Sequence, residues 1–202
     1  MKLYYAPGAC SLAAHIVLCE LDLPHELVKV DLKTHITEHG GDFYKVNPKG
    51  YVPALELDDG QVLTEDAVLL QYLADLKPGS GLLPPAGSME RWRTLEWLNF
   101  ISSELHKGLG TLFNPAVTPE WRAVVIARVE TRLAYLDRLL AEQGYLSGND
   151  FSVADAYLFT IVSWTGVMQI DLTPWPALVA YQARVAARPA VQEAMRSEGL
   201  LK

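Results

Sequence analysis

The sequence predicts an α/β N-terminal domain followed by an all-α C-terminal domain, and three observations indicate this division. Strand-like and helix-like segments alternate over residues 1–76. Residues 77–87 (KPGSGLLPPAG) hold three Pro and three Gly, which neither a helix interior nor a central strand tolerates. After Ser88 the hydrophobic residues recur at helical spacing. We therefore expect an α/β domain at residues 1–77, a linker at 78–87 and an all-helical domain at 88–202.

The first half of the α/β domain has the pattern of a strand, a turn, a helix and a second strand. Lys2–Tyr5 is a short β-prone run that ends at the turn pair Pro7-Gly8, and apolar residues recur at helical spacing over Ser11–Leu21. Leu27–Leu32 alternates apolar and polar residues, which predicts the second strand. Thr37–Val46 follows as a weakly patterned helix.

The second half of this domain has the pattern of a β-hairpin and a helix. Asp58-Asp59-Gly60 separates the apolar runs Val52–Leu57 and Gln61–Leu63, and an Asp-Gly pair between such runs indicates an antiparallel hairpin. Thr64 then stands where the N-cap of a helix is expected, and the next two residues, both acidic, suit the first turn. The expected order is βαβ followed by ββα.

The helical domain is expected to contain four helices and a short additional one at its end. Their approximate bounds are 88–112, 119–142, 153–168 and 175–187, with the short helix after Pro189. Ser152 and Asp155 mark the start of the third helix as a variant of the capping box, in which the side chain at each end reaches the backbone at the other.

Composition and charge exclude several classes of protein. The 202 residues are 50% hydrophobic and 20% charged, which is ordinary globular composition and not that of a disordered chain. The net charge of −7 gives no electrostatic reason to expect nucleic acid or an anionic membrane as a partner. Every apolar run is broken well short of the roughly 18 residues that a membrane span needs. No nucleotide-binding or serine-hydrolase motif is present.

The cysteines and histidines predict neither disulfides nor a metal site. Cys10 and Cys19 lie nine residues apart without a CxxC pair, so a reducing compartment, the cytoplasm, fits best. Pro7-Gly8 interrupts the N-terminal apolar stretch, which makes it a poor signal peptide. The closest histidines, His35 and His39, are four residues apart only in a weakly helical segment, so we expect no metal ligands.

Cys10 is the first candidate for chemistry, because it lies between the Pro7-Gly8 turn and the first helix. The unpaired N–H groups and the dipole of a helix N-terminus favour a thiolate, which predicts a reactive cysteine. The alternative is a small buried hydrophobe, as most single cysteines are. Its place in the first βα turn favours the functional interpretation. Cys19, on the apolar face of that helix, has a structural interpretation.

Two further segments have both a functional and a structural interpretation. Pro53 is either an ordinary proline at the first residue of a strand or a cis proline that aims the Val52 backbone outward, and the local sequence does not distinguish them. Glu65 and Asp66 either bind the amine of a zwitterionic ligand, while the N–H groups of the turn hold its carboxylate, or they only cap the helix.

Polar residues form a stripe on the first helix of the second domain. Asn99, Ser103 and His106 are spaced i, i+4 and i+7, so they are expected to share one face. The stripe either lines a pocket with His106 near the Cys10 thiol, or it continues an ordinary solvated face through Glu96.

An ordered set of motifs resembles the glutathione transferase superfamily. In the first domain these motifs are PGACS at 7–11, NPKG at 47–50, VPAL at 52–55, LTE at 63–65 and YLAD at 72–75. In the second domain EWLNF at 96–100, SELHK at 103–107 and FSVADAYL at 151–158 are similar to the bacterial beta class. No single motif would suffice, but the ordered set is specific and spans essentially the whole chain.

The resemblance implies a thioredoxin-like N-terminal domain joined to an all-helical domain, a homodimer, and a site at the domain boundary for glutathione as co-substrate. It implies that Cys10 contacts the glutathione sulfur and that the Val52 backbone, beside a cis Pro53, pairs with the cysteinyl part. Glu65 with Asp66 is implied to hold the γ-glutamyl end.

The resemblance also assigns residues at the border of this site, some of which reach across the dimer. They are Tyr51, Asn99, Ser103, Glu104 and His106. The sequence departs from the family at two positions. His35 stands where a Lys is common, so the glycyl carboxylate is held by His35, held by Lys33, or held weakly. Asp66 replaces a small residue, and if its backbone N–H binds the ligand its side chain is expected to turn away.

Three functions remain open at this point. In a transferase that conjugates glutathione to hydrophobic electrophiles for detoxification, Cys10 helps to stabilise the glutathione thiolate. In a thiol transferase or reductive dehalogenase, Cys10 is the nucleophile and passes through a mixed disulfide. A non-enzymatic binding or regulatory protein keeps only the fold. In either enzyme His106 is expected to lower the thiol pKa or protonate the leaving group, with Phe113, Trp164 and Met168 lining the electrophile pocket.

Overall fold

The computed structural model describes residues 1–201, which form two compact units. The first unit contains Met1–Ser80 together with the residues from Arg188 onward, and the second unit is Gly81–Ala187. The residues after Pro189, which the sequence predicts to belong to the helical domain, complete the first unit in the structure.

The regular elements of the described chain are these. The strands are β1 (Lys2–Tyr5), β2 (Glu26–Asp31), β3 (Ile36–Thr37), β4 (Ala54–Glu56) and β5 (Val62–Thr64). The helices are α1 (Leu12–Glu20), α2 (Asp66–Asp75), α3 (Met89–Phe100), α4 (Lys107–Thr111), α5 (Pro119–Glu142), α6 (Val153–Val167), α7 (Pro176–Ala186) and α8 (Pro189–Ser197). A 3-10 helix covers Phe43–Lys45, and a π-helical segment covers Ile101–His106.

Within residues 1–201, the five strands of the first unit form one mixed sheet in the order β3-β2-β1-β4-β5. β1 is parallel to β2, with Leu3 opposite Leu27, and antiparallel to β4, with Leu3 opposite Leu55. β4 and β5 form the predicted hairpin, in which Leu55 pairs with Leu63. The α/β architecture predicted for this part of the chain is confirmed.

The first unit is closed by its last helix. α1 connects β1 to β2 and packs against both α2 and α8. The Arg188 guanidinium, at the N-cap of α8, binds both carboxylate oxygens of Glu20 at 2.6 and 2.9 Å. Two parallel N–H···O bonds of this kind fix geometry as well as contributing energy. The C-terminal helix is thereby fastened to the end of α1.

Two local predictions in this unit are wrong. Thr37–Val46 is not a helix, because Thr37 pairs with Val30 in the sheet and Gly40, at φ 79°, turns the chain back. Thr64 is not an N-cap, because it is the last residue of β5. The N-cap of α2 is the next residue, which has a φ of 72° and makes no capping hydrogen bond through its side chain.

The sheet is buried on both faces. One buried cluster contains Tyr4, Ala6, Val28, Val30, Phe43, Val52 and Ala54. Leu3 and Leu55, which point to the other face because side chains alternate along a strand, are fully buried as well. Burial of an apolar side chain of this size contributes roughly 1.5–3 kcal/mol. This core anchors the segments on either side of Cys10 and Pro53.

α6 is the central helix of the second unit, with most of its residues buried. It packs against α3, α7 and the π-helical segment, while α5 packs against α4 and α7. The predicted capping box is confirmed at its start: the Ser152 N–H and hydroxyl both donate to Asp155 Oδ2, at 2.9 and 2.7 Å. The all-helical prediction for residues 81–187 is confirmed.

α3 runs into α4 through the π-helical segment without a break. The N–H of Lys107 bonds to the carbonyl of Ser102, five residues back. Such a segment inserts one residue into the helical repeat and is frequent at functional sites. It moves the residues that follow it to a different face of the helix.

Among residues 1–201, no helix combines the length and the apolar character required to cross a membrane.

Candidate functional site

The site in the first unit is built around Cys10, in the turn between β1 and α1. The thiol is 8% exposed and its Sγ donates to the Val52 carbonyl at 3.2 Å. The Cys10 carbonyl accepts from the N–H of Ala13 in the first turn of α1, which fixes the backbone. The Val52-Pro53 peptide bond is cis, as the resemblance implies. The thiol and the segment before β4 therefore meet directly.

Asp66, the first residue of α2, lies beside this thiol. Its residue is 5% exposed, and a carboxylate oxygen lies within 4.8 Å of Cys10 Sγ. Oδ1 of Asp66 is buried without a hydrogen-bond partner among the described residues. A buried polar atom of this kind is costly and is rare in folded proteins. The Asp66 carboxyl group points into the protein. The backbone N–H is the other polar group of this residue.

The surroundings raise the pKa of both groups. Burial raises the pKa of the Cys10 thiol well above its ordinary value, and the Asp66 carboxyl raises it further. The N–H of Ser11 lowers this pKa by a smaller amount. Burial also raises the pKa of Asp66 well above its ordinary value, which the thiol offsets in part. For Cys10, loss of hydration therefore outweighs the helix N–H groups in setting the direction of the pKa shift.

Glu65 begins α2 in a left-handed backbone conformation and has an exposed carboxylate. Its Oε1 accepts from Lys49 Nζ at 2.6 Å and from the Tyr51 hydroxyl at 2.9 Å. Lys49 Nζ also donates to Thr64 Oγ1 at 2.9 Å. The Glu65 carboxylate raises the pKa of Lys49 above its ordinary value. Glu65 and Lys49 thus form an ion pair at the rim of the site.

The turn that carries Lys49 is rigid. Asn47 is 2% exposed; its Nδ2 donates to the Tyr51 carbonyl at 2.7 Å and its Oδ1 accepts from the Lys49 N–H at 3.1 Å. Gly50 has a φ of 74°, and a Cβ there would lie 2.5 Å from the Tyr44 ring. A side chain at this position would displace the Tyr44 ring and hold a strained backbone, so the turn favours glycine.

His35 lies at the same edge of the first unit. Its ring packs against the ring of Tyr44, with 4.5 Å between centroids, and Tyr44 in turn contacts Gly50. His35 Nδ1 is buried without a hydrogen-bond partner among residues 1–201. Lys33 is exposed, and its backbone N–H bonds to Asp31. The two candidates for the glycyl carboxylate therefore differ: His35 has a buried nitrogen without a partner among the described residues, and Lys33 has an exposed side chain.

In the second unit His106 belongs to an aromatic cluster. Its Nδ1 lies 2.6 Å from the Tyr157 hydroxyl, and its ring meets the Trp164 ring edge-on with 5.1 Å between centroids. Phe113, which is 51% exposed, packs against Trp164 at the same separation. Met168 is buried near the end of α6. The three predicted electrophile-pocket residues all lie in this unit.

The expected polar stripe does not form as one face. Asn99 and Ser103 are exposed, with the Ser103 hydroxyl donating to the Asn99 carbonyl at 2.9 Å, whereas His106 turns toward α6. The π-helical segment is the reason, because its bonds span five residues instead of four. The i, i+4, i+7 argument assumes a regular α-helix.

The Glu104 carboxylate forms ion pairs within the second unit. Its carboxylate binds Arg128 at 3.0 Å and Arg132 at 2.8 Å, both on α5. These two guanidinium groups hold the pKa of Glu104 below its ordinary value. The side chain joins the π-helical segment to α5.

Three residues that position these groups were missed by sequence reasoning. Lys49 lies in a recognised turn and could have been found as the basic residue beside an acidic helix start. Tyr157 gave no signal, because its hydroxyl meets His106 from a helix 51 residues away. Glu198 also gave none: its carboxylate accepts from the N–H of Gly8 at 2.9 Å and bonds to His15 Nδ1 at 2.9 Å, which holds the turn before Cys10 from the far end of the chain.

Two family models match the chain. Residues 8–76 match the glutathione S-transferase N-terminal domain, and residues 105–198 match the glutathione S-transferase C-terminal domain. Glutathione S-transferase GstA of Escherichia coli O157:H7 is 46% identical over 200 residues, and the match covers 99% of this chain and 100% of GstA.

Two solved structures are similar throughout their length. A sphingomonad glutathione S-transferase complexed with glutathione is 49% identical, with a TM-score of 0.96, and the match covers 100% of both chains. A bacterial beta-class glutathione S-transferase from Sphingomonas chungbukensis is 45% identical, with a TM-score of 0.96, and again both chains are covered at 100%. The resemblance to the bacterial beta class is confirmed.

Proposed function

Because the chain belongs to the glutathione S-transferase family, we propose that its Cys10 acts in conjugation as a hydrogen-bond donor to the glutathione sulfur, and not as the nucleophile. The chain is a glutathione transferase, and glutathione is its co-substrate. Conjugation joins the glutathione sulfur to an electrophilic carbon, whose leaving group departs with its bonding electrons while the thiol proton is released.

The observation that carries this proposal is the neutral Cys10 thiol, 8% exposed and donating to the Val52 carbonyl. A thiol must lose its proton to act as a nucleophile, and burial together with Asp66 raises the pKa of Cys10. A protonated thiol is instead suited to donate a hydrogen bond to a sulfur anion. Such stabilisation of developing charge by a fixed donor is a large contribution to catalysis in many enzymes.

The first unit supplies the groups that we propose to bind glutathione. Glu65, held by Lys49 and Tyr51, would bind the γ-glutamyl ammonium, while the backbone N–H of Asp66 would bind its carboxylate. The Val52 backbone would pair with the cysteinyl part. These three contacts rest on the resemblance and on the polar groups found at the start of α2.

We assign the glycyl carboxylate to His35 in preference to Lys33. The support is the buried Nδ1 of His35, which has no hydrogen-bond partner among the described residues, and the packing of its ring on Tyr44. A carboxylate would satisfy this nitrogen when the ring is protonated or carries its proton there.

The second unit supplies the residues proposed to act on the electrophile. Phe113 and Trp164 offer an aromatic surface for a hydrophobic substrate. Met168 follows Trp164 in the sequence, at the end of α6. His106, oriented by Tyr157, is proposed as the group that protonates the leaving group. Three further residues are proposed only as neighbours of the glutathione site. They are Asn99 and Ser103, which are exposed, and Glu104, which is bound to arginines.

The proposal includes a homodimer in the cytoplasm that detoxifies electrophiles. The cytoplasmic location is supported by two cysteines that are both free thiols. The dimer and the detoxifying role rest on the resemblance to the family.

Intact mass distinguishes the two roles of Cys10. Wild type, Cys10→Ala and Cys19→Ala are incubated with glutathione disulfide at pH 7, freed of reagent and weighed under denaturing, non-reducing conditions. We expect no adduct on any of them, although wild type is retained on a glutathione column and released by free glutathione. A single reducible adduct on wild type and Cys19→Ala, absent from Cys10→Ala, would establish thiol exchange instead. Failure to bind the column would favour a non-enzymatic protein.

A further inference from the structure

A second cluster of chemically active side chains lies outside the glutathione site. His15 and Cys19 are four residues apart on α1, so they share a face of that helix, and His25 stands just before β2. A ring nitrogen of each histidine and the Cys19 sulfur all lie within 4.8 Å of one another. Imidazole nitrogen and thiolate sulfur are the ligands that zinc prefers in proteins.

The two imidazoles are held in the way that metal-binding histidines usually are. His15 Nδ1 lies 2.9 Å from a carboxylate oxygen of Glu198, and His25 Nδ1 lies 2.7 Å from the Leu23 carbonyl. Hydrogen bonds to a carboxylate and to a backbone carbonyl fix the ring orientation and increase ligand basicity. They leave Nε2 of each ring for a metal ion.

The spacing of the rings fits a single ion. The centroids of His15 and His25 are 5.4 Å apart, with 75° between the ring planes. With metal–nitrogen distances of about 2.0–2.1 Å and a tetrahedral angle, two imidazoles on one zinc ion have centroids about 5 Å apart. Small side-chain movements would therefore bring both rings into coordination.

Charge and access also favour a dication. The carboxylates of Glu193, Glu20 and Glu198 act electrostatically on Cys19, and Glu20 also binds the Arg188 guanidinium. The same carboxylates that oppose a thiolate attract a positive ion, and a bound ion favours the thiolate. His15 is buried, whereas Cys19 and His25 are partly exposed, so solvent reaches the cluster from their side.

We propose that His15, Cys19 and His25 bind one divalent ion of the zinc class, with water as a fourth ligand. Two imidazole nitrogens and one sulfur form bonds to the ion, the S–H bond of Cys19 breaks, and its proton passes to solvent without any change of oxidation state. The site would join α1 to the start of β2 and, through Glu198, to the segment after α8. None of its three ligands belongs to the proposed glutathione site, although Glu198 also binds the Gly8 N–H in the turn before Cys10.

The test uses Co²⁺ as a spectroscopic probe on the full-length reduced protein, followed by Zn²⁺ competition. We expect one Co²⁺ per chain, visible as a thiolate-to-cobalt charge-transfer band with the intense d–d bands of tetrahedral coordination, and displacement by Zn²⁺. Release of close to one proton per Zn²⁺ in weakly buffered solution, measured by pH-stat, provides a readout that needs no variant. Absence of the charge-transfer band, or of proton release, on folded wild type would overturn the proposal.

Matched variants assign the ligands. Cys19→Ala should abolish the charge-transfer band, and His25→Gln should weaken Co²⁺ binding at least tenfold. Cys10→Ala, which removes the other thiol, and His39→Gln, which removes an exposed imidazole, should bind Co²⁺ as wild type does. A band that survives Cys19→Ala, or that disappears in Cys10→Ala, would place the metal elsewhere and refute the site.

Discussion

The N-terminal turns of α2 and α6 each contain a buried aspartate, but the two carboxyl groups have opposite surroundings. Asp155 Oδ1 accepts from the Leu146 N–H at 2.9 Å and the Tyr181 hydroxyl at 3.1 Å, while Oδ2 accepts twice from Ser152. Asp66 has one oxygen without a partner among residues 1–201. Burial raises the pKa of both groups.

The difference is between a carboxyl group whose hydrogen bonds are complete and one that its surroundings leave unsatisfied. At the start of α6 both carboxylate oxygens of Asp155 accept hydrogen bonds, so neither is left without a partner. At α2 the carboxyl group meets a thiol, and Glu65 beside it takes a left-handed backbone conformation that nothing in the helix itself requires. Buried groups that the protein does not satisfy, with strongly shifted pKa values, are typical of functional sites.

Replacing Asp155 should have the largest effect. Asp155→Ala leaves the N–H groups of Ser152 and Leu146 and the Ser152 hydroxyl buried without their acceptor, whereas the Tyr181 hydroxyl keeps the backbone carbonyl of residue 155. Each such donor costs about 1–3 kcal/mol, so we expect a loss of at least about 3 kcal/mol in the free energy of unfolding, measured in urea. Asp171→Ala, at an exposed carboxylate, is the control and should change it much less. Equal losses would show that satisfaction of Asp155 is not what stabilises α6.

At α2 the corresponding change should affect binding more than folding. Glu65→Gln removes the charge proposed to bind the γ-glutamyl ammonium, and Glu65 is half-exposed, so its loss should leave unfolding nearly unchanged. We expect the Kd for glutathione, measured by calorimetry, to rise about tenfold. Glu142→Gln removes an exposed charge at the end of α5 and should bind as wild type does. An unchanged Kd for Glu65→Gln would remove Glu65 from the site.

The smallest effect, a change in the free energy of unfolding, should come from Asp66→Asn, and it should depend on pH. Because the folded pKa of Asp66 is raised, its contribution to stability is present below the unfolded pKa of about 3.9 and is lost as the pH rises through the folded value. The variant should therefore be more stable than wild type at pH 8, by on the order of 1 kcal/mol, and not at pH 4.

The same variant should change the reactivity of Cys10. Loss of the neighbouring carboxyl lowers the pKa of the thiol, so the pH profile of Cys10 alkylation should move to lower pH. Asp59→Asn, at an exposed carboxylate, is the control for both measurements. A profile that stays in place would show that Asp66 does not act on the thiol.

The elements that could be predicted are those whose signals are local. The Asp58-Asp59-Gly60 hairpin and the Ser152 and Asp155 capping box follow from residues two or three apart, and both are confirmed. The helix expected at Thr37–Val46 is wrong, because pairing of Thr37 with Val30 is a contact between separate strands that a local pattern does not contain.

The arrangement around Cys10 could be predicted from the sequence only in part. Position and motif select Cys10 and Asp66, which the structure places side by side, but no local pattern indicates how deeply they are buried. Helix N-termini favour anions, and desolvation opposes them, so the sign of the shift depends on how deeply each group is covered. The π-helical segment that ends at His106 was not predicted either, because no sequence signal indicated it.

The place of Glu198 in the first unit has a consequence for synthesis. Chains are made from the N-terminus at about 5–20 residues per second, and compact units generally fold as they emerge. The helical unit, Gly81–Ala187, is contiguous and is complete before α8 has been translated. The turn before Cys10 is made before the helical unit, yet Gly8 and His15 receive the Glu198 carboxylate only after α8 has been translated. This turn therefore acquires its full set of contacts later than the helical unit that follows it in the chain.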